Sequence, residues 1–538
     1  EAVALISGGK DSLLSLYHAI ANGYNIVALG NLHPPTAAVP NSTATTDETG
    51  TSIYQPSPTL SDSPDTLGPA AQKSDELDSY MYQTIGHTLL PLYAQCLNLP
   101  LYRRAITGGS VNTALDYRPT DGEWDETEDL TLLLHSIRKA HPNVVAVTSG
   151  AILSTYQRTR VESVCARLGL TSLAYLWQMS QEGVLSQLAT LGFDARIVKV
   201  AALGLDESWL WGNVADPRVV AKLGRLKARW GINPAGEGGE YETLVVSAPG
   251  WRGRIEIPEE GRAVNIEGGG AAWVGFTSAR VVAVEGGERR QEEWAAALQT
   301  QTLFDAEAAE ALESLPAVTS SSFLDTPYED NDTPLPPTLL STPTTQQIAN
   351  VISPAPCTSL ADELAAVFST VESLIAPRPL TDITSITLLL RNMSDFAEIN
   401  SHYSGYFALP LPPSRVCVAC PNLPKGRNIM LSASLPSAPP GEEGRKGLHV
   451  QSRSHWAPAN IGPYSQAVLN GGYWEVAGQI PLIPASMNLV ESPQEQCVLA
   501  LQHLQRIWEV VGAEKEGRKA LVWVVDDNVV PVVVETWR

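Results

Sequence analysis

Positive charge is scarce in this chain. Across 538 residues, 36 Lys and Arg face 58 Asp and Glu, giving a formal charge of −22 and a pI near 4.8. A broad nucleic-acid surface needs clustered Lys and Arg to neutralise phosphates, so no direct nucleic-acid partner is expected. Cysteine is also sparse, and the six present (Cys96, Cys165, Cys357, Cys417, Cys420, Cys497) are scattered, which suits a reducing compartment. Cys417-Val-Ala-Cys420 has a Cys-x-x-Cys form, but no second pair lies nearby and its surroundings read as strand. Residues three apart on a strand point to opposite faces, which speaks against metal or redox use. No apolar run reaches the roughly 20 residues of a membrane span, and the first residues enter a core strand without a signal-peptide layout. The expectation is a cytoplasmic protein with no membrane partner. Glu1 stands where an initiator methionine would, and later stretches look shortened, so this sequence is expected to begin inside its gene product with loops left out.

What is present is ample apolar content, 44% of residues, enough for real cores. At about 150 residues per domain, the length suggests roughly three or four domains. Ala2 to Ile6 is an apolar run of strand length, followed by Ser7-Gly8-Gly9-Lys10-Asp11-Ser12 and then by Leu13, Leu14, Leu16, Tyr17 and Ile20 at helical spacing. This reads as strand, tight loop, helix. Paired glycines leave amide N–H groups uncovered, the helix adds its positive end, and Lys10 adds a mobile cation, so the loop suits a phosphate chain. The Gly-x-x-x-x-Gly-Lys-[Ser/Thr] loop is absent. The motif resembles instead the PP-loop of the ATP pyrophosphatase family, matched by Ser7, Gly8, Gly9, Asp11 and Ser12. In that family the loop grips the pyrophosphate end of ATP while the α-phosphorus is attacked.

Ile26 to Leu32 reads as a second strand of an alternating β/α pattern, which points to a parallel sheet. Gly30, Asn31 and Leu32 at its end are candidates for adenine contact. Residues 34–73 are rich in Pro, Ser, Thr and Ala and read as a flexible insertion, with order resuming at Asp75. Asp78 to His87 is rich in hydrogen-bonding groups, which suits either a ligand site or a capped helix start. A helix over Thr127 to Ile137, a strand over Val144 to Val147, a loop and helix start over Ser149 to Arg160, and a strand over Leu173 to Trp177 follow. Ligands of open α/β sheets sit at the carboxyl edge of the strands, which puts Arg158 and Arg160 where a phosphate or carboxylate would lie. Gly236-Glu-Gly-Gly-Glu-Tyr-Glu-Thr243 packs three carboxylates and three glycines into eight residues, a composition suited to a cation-binding loop.

Four of these pieces in order, Ser7 to Ser12, Asp78 to His87, Gly150 to Glu162 and Gly236 to Thr243, resemble the diphthine–ammonia ligases. Arg453 to Val468 with Val476 to Pro481 resembles the opening of a RidA/YjgF-like domain, and Asn400 to Tyr403, Phe407 and Pro412 to Val418 its closing half. The first copy lacks a clear opening hairpin. The resemblance implies an α/β fold: a PP-loop (HUP-like) parallel-sheet ATP-binding domain over 1–288, a linker over 289–345, and two α+β RidA/YjgF-like (chorismate-mutase-like) domains over 346–447 and 448–538.

By the same resemblance, the activity is ATP-dependent amidation of diphthine on translation elongation factor 2 with ammonium, through an acyl-adenylate. The partners are that factor and ammonium, and the cofactors ATP and Mg2+. Ser7, Gly8, Gly9, Lys10, Asp11, Ser12, Gly30, Asn31, Leu32 and Gly150 serve ATP, and Tyr80, Tyr82, Gln83, His87, Gln157, Arg158 and Arg160 the substrate. Lys10, Asp11, Glu237, Glu240, Tyr241 and Glu242 are the catalytic candidates. Asp11 and Glu237 are assigned to the metal, while one of the glutamates would instead take ammonium and its proton. Arg415 stands where free RidA enzymes hold a carboxylate, and imine deamination would require the two copies to combine. The rival readings are a PP-loop tRNA-modifying adenylating enzyme and a non-catalytic ATP-responsive scaffold.

Overall fold

A computed structural model describes residues 1–35, 44–57, 60, 65–66, 85–115, 117–119, 122–267, 270–284, 291–298, 302–315, 335–407, 410–439, 444–514, 517–524 and 527–537. It divides into two compact units, Glu1–Thr302 with Ser452–Trp456, and Leu303–Gln451 with Ala457–Arg538. Tyr80, Tyr82 and Gln83, and the return of order at Asp75, lie outside the described residues.

In the first unit the chain runs β1 (Ala2–Leu5), α1 (Lys10–Ala21), β2 (Ile26–His33), β3 (Thr45–Thr46), β4 (Ser52–Tyr54), β5 (Asp65–Thr66), α2 (Pro91–Leu97), β6 (Leu101–Ala105), α3 (Glu126–Ala140), β7 (Ala146–Thr148), α4 (Thr155–Leu168) and β8 (Thr171–Leu173). Seven of these strands form one sheet in the order β3-β4-β6-β2-β1-β7-β8, parallel from β6 to β8. Strand order reverses at β1, so its loop opens at the crevice where such sheets bind ligands. Leu13, Leu14, Leu16 and Tyr17 bury one face of α1. Leu130, Leu133, Leu134 and Ile137 of α3 pack with Leu32 and Tyr102 in an apolar cluster.

Part of the expected flexible insertion is ordered. β3 and β4 form a hairpin whose second strand pairs antiparallel with β6, and Asp47 accepts from Thr49 and Thr51 to close its turn. Their Thr and Ser content disguised a short edge hairpin as linker. The strand expected over Leu173 to Trp177 instead covers Thr171–Leu173, and a turn follows.

The chain continues through α5 (Gln181–Leu191), β9 (Asp194–Val200), α6 (Pro217–Trp230), β10 (Tyr241–Ser247), β11 (Gly253–Glu256), β12 (Arg262–Ile266), β13 (Ala272–Phe276), β14 (Ser278–Ala283) and α7 (Gln291–Leu298). β10-β9-β13-β12 make an antiparallel sheet and β11-β14-β5 a smaller one. The region expected as linker starts with α7, whose buried Trp294 meets the Tyr17 ring edge-on at 4.7 Å.

Ser452–Trp456 completes this unit. Arg453 N–H donates to the Ser172 carbonyl and Ala174 N–H to the Arg453 carbonyl, a parallel rung beside β8. Backbone and hydroxyl of Ser452 donate to Glu162 at 2.8 and 2.7 Å.

The second unit holds α8 (Ala306–Ser314), β15 (Thr338–Ser341), β16 (Thr345–Val351), α9 (Leu360–Ile375), β17 (Ser385–Leu390), α10 (Phe396–Tyr403), β18 (Ser414–Ala419), β19 (Ile429–Pro436), β20 (Gly447–Leu448), β21 (Ala467–Asn470), β22 (Tyr473–Val476), α11 (Pro493–Val510) and α12 (Val530–Trp537). Its larger sheet runs β15-β16-β19-β17-β18, and β20-β21-β22 form another. The opening hairpin that the sequence hides is β15 and β16, paired antiparallel from Thr338 to Ala349. Leu364, Val367, Phe368 and Val371 of α9 recur at helical spacing and are buried in this unit's core. Among the described residues no helix is long and apolar enough to cross a membrane.

Candidate functional site

The loop after β1 is built by its own hydroxyls. Ser12 Oγ accepts from Ser7 N–H at 3.1 Å and donates to the Gly9 carbonyl at 3.0 Å. Gly9 caps α1 without any side-chain hydrogen bond, so the positive end of the helix is left to the loop. Gly8 adopts φ 88°, and a Cβ there would meet Leu90 at 3.1 Å and Leu244 at 3.3 Å. Glycine is required on both counts.

This loop is fastened to β10, the strand that follows the acidic segment. The Gly8 carbonyl accepts from Val245 N–H at 2.9 Å and from the Tyr93 hydroxyl at 3.1 Å, and that hydroxyl also reaches the Val245 carbonyl at 2.5 Å. Lys10 N–H donates to Thr243 Oγ1 at 3.0 Å. Two motifs more than 220 residues apart in sequence thus form one edge. Gly150 closes the third side, since a Cβ there would lie 3.0 Å from Ser12 N and 3.1 Å from Asp11 C. Only glycine permits so close an approach of two backbones.

Lys10 is buried, and its Nζ pairs with Asp11 Oδ2 at 2.8 Å rather than standing free. The other Asp11 oxygen, Oδ1, is buried with no hydrogen-bond partner among the described residues. Glu237 accepts from Leu153 N–H at 3.3 Å. Burial, and then the charge of Asp11, push its carboxyl up to about 7. Two carboxylates sharing a site, one with an orphaned oxygen, suit a hard cation whose remaining ligands come from phosphates and water. No group of three His, Cys, Asp or Glu that could hold a metal ion converges among the described residues.

The three glutamates divide the work. Glu240 is buried and accepts from Asn233 N–H, Asn233 Nδ2 and Gly238 N–H at 2.7 to 2.9 Å, which makes it the brace of its own loop. Glu242 lies 3.6 Å from Lys199. The Tyr241 hydroxyl donates to the Pro234 carbonyl at 2.6 Å, and its ring lies 5.4 Å below Lys10 Nζ. Of the catalytic candidates, Lys10, Asp11 and Glu237 meet at the loop. Glu240 and Tyr241 shape it.

Other expected site residues turn inward. Arg158 is buried, stacks on Trp177 at 4.4 Å and pairs with Glu162 at 2.6 Å. Arg160 is buried over the Tyr156 ring at 3.2 Å and donates to the carbonyls of Asn112 and Ala114. Both guanidiniums are held by this chain's own groups. The sequence shows two arginines at a helix start but not which way the helix is turned. Gln157 sits half-buried in the first turn of α4.

Leu32 lies in the apolar core, and a Cβ at Gly30 would meet Leu5, Ile137 and Leu133. Asn31 donates to the Ile6 carbonyl and accepts from Arg103 Nε at 2.9 Å. His87 is buried beside Arg103 at 3.3 Å. Arg103, Tyr93 and Asn233 carry no motif, and only their long-range contacts single them out.

In the second unit Arg415 is also enclosed. It donates to Asn400 at 2.8 Å and lies over the rings of Tyr403 and Tyr464 at 4.6 and 5.3 Å. The two copies do combine around it, but a Cβ at Gly462 would come within 2.5 Å of its Nη2.

Residues 70–172 match the diphthamide synthase N-terminal domain and 180–271 its C-terminal domain, while 353–432 and 454–533 each match endoribonuclease L-PSP. A diphthine–ammonia ligase of Schizosaccharomyces pombe is 36% identical over 553 residues, covering 100% of this chain and 82% of that protein. One from Saccharomyces cerevisiae is 32% identical over 584 residues, with coverages of 99% and 76%. The diphthine–ammonia ligase of Homo sapiens is 42% identical over 257 residues, 48% of this chain and 82% of that protein.

Proposed function

The chain belongs to the diphthine–ammonia ligase family, and we propose that the edge formed by Ser7–Ser12, Gly150 and Glu237 is where it carries out that reaction. The reaction is ATP-dependent amidation of diphthine with ammonia to diphthamide. A carboxylate is a poor acyl donor because oxide would have to leave. Attack of its oxygen on the α-phosphorus of ATP expels pyrophosphate and leaves an acyl-adenylate, from which ammonia displaces AMP.

This chain's groups meet the charge at each stage. The Gly8–Gly9 amides, the α1 N-terminus and Lys10 balance negative charge growing on pyrophosphate. Asp11 and Glu237 would hold Mg2+, which supplies Lewis-acid stabilisation of the phosphates. When it is not a metal ligand, Glu237, its carboxyl raised to about 7, would instead take the proton of ammonium and free the lone pair. Protein-borne diphthine, on translation elongation factor 2, is the substrate form in this proposal. The observation that carries the reading is the orphaned Asp11 Oδ1 beside the Glu237 carboxyl, at the foot of an amide-lined loop.

Mass spectrometry of the diphthine-bearing factor incubated with the protein, ATP and ammonium tests it. Conversion of acid to amide, lost in Asp11→Ala, is the expected result; equal turnover with glutamine in ammonium-free buffer would defeat free ammonium as the nitrogen source. Family membership sets the tRNA-modifying reading aside. For the RidA-like copies, the enclosure of Arg415 by Asn400 and two tyrosines supports a docking role over imine deamination.

A further inference from the structure

Helix α6 carries an arrangement that the catalytic edge does not use. Its sequence, Pro217 to Trp230, contains five cations and no acid, in a chain whose net charge is −22. Arg218, Lys222, Arg225 and Arg229 follow one another at spacings of 4, 3 and 4. At 3.6 residues per turn they fall within roughly 60° of arc and run about 16 Å along the helix. All four are exposed, and none has a carboxylate partner among the described residues. Lys222 lies 5.9 Å from the Trp209 ring and Arg229 4.9 Å from that of Trp230. The opposite side holds buried Leu223, half-buried Val219, Val220 and Leu226, and Lys227, the one cation paired with an acid, Glu182.

Like charges at these spacings repel and lower helix stability, so the stripe is no device for folding. Its position is informative. From Trp230 the chain passes Gly231 and Ile232 to Asn233, the residue that grips Glu240 in the acidic loop. Three residues span at most about 10 Å. The stripe therefore ends next to the segment that carries Glu237.

We propose that the Arg218–Lys222–Arg225–Arg229 face docks an acidic surface of the protein that carries diphthine, guiding the modified residue toward Glu237. This rests on the diphthine reading above. An acid-rich body repels an acidic partner everywhere except along such a stripe, so charge sets both orientation and encounter rate. A protein partner is favoured over a nucleic acid because the stripe is short and the rest of the chain is anionic.

The test uses the full chain with Lys222→Glu, Arg225→Glu and Arg229→Glu combined, all exposed positions. The expected result is a KM for the diphthine-bearing factor raised ten-fold or more, with its dependence on salt flattened. Turnover number, KM for ATP, KM for free diphthine and melting temperature stay at wild-type values. A KM for the factor within two-fold of wild type overturns the proposal. So does a mobility shift with bulk RNA that the triple variant loses while the KM for the factor holds. Failure of the wild-type protein to form any diphthamide would strike the functional reading itself, and is seen before any variant is made.

Discussion

Glu237 is the residue whose surroundings decide most. Its folded value of about 7 stands above the ordinary 4.5 because burial, and then Asp11, disfavour its charge. The stability this carboxyl contributes is fully present below its unfolded value and is lost as pH rises through about 7. Glu237→Gln is therefore expected to melt higher than wild type near pH 8 and to match it near pH 4, as measured by calorimetry. The same change should cut AMP release by about 10²-fold or more, the usual contribution of a positioned acid–base group. In wild type, activity should fall as pH drops through about 7. Replacing Asp11 by Asn removes one of the charges that raises Glu237, so the acid limb of the residual activity should move to lower pH.

At the scale of elements, the site depends on a loop after β1 being tied to β10 and to the turn before α4. Tyr93 makes the first tie with one hydroxyl placed between two carbonyls. Tyr93→Phe leaves the ring's packing and strips that oxygen, so urea denaturation should show a loss of about 1–3 kcal/mol, with a raised KM for ATP. Gly150→Ala tests the second tie: its methyl would press on the Asp11–Ser12 backbone. The expected outcome is at least a ten-fold drop in kcat/KM for ATP, as the methyl displaces the loop that meets the phosphates. The Tyr93 tie was not legible in the sequence, since Tyr93 lies outside every motif; Gly150 was singled out by resemblance, but its close approach to the Asp11–Ser12 backbone was not. By contrast, the strand–loop–helix of residues 2–21 was legible in full. A run of five apolar residues, two glycines and a 3.6-residue period leave few other local structures.

For the whole molecule, the division between halves is not where composition places it. Ser452–Trp456 belongs with the first unit, where Ser452 satisfies Glu162, itself paired with Arg158. Ser452→Ala leaves a buried carboxylate oxygen with fewer donors, so the full-length chain should lose about 1–3 kcal/mol on unfolding, read as a lower urea midpoint. Sequence comparison with relatives that align with about half of the chain covers less of it than the two units together. The human ligase aligns with only 48% of the chain.

The sequence by itself determined the PP-loop, the parallel sheet behind it, the acidic glycine-rich loop and the paired RidA-like copies. These are encoded by short-range pattern: apolar period, glycine at turns, and motifs of fewer than twenty residues. Only the tertiary structure decided that Arg158 and Arg160 turn inward, that Glu240 braces while Glu237 faces Asp11, and that a strap from residue 452 completes the first sheet. Those outcomes depend on which distant groups share a buried volume. There the cost of an unpaired charge selects the partner, and no local spacing records that choice.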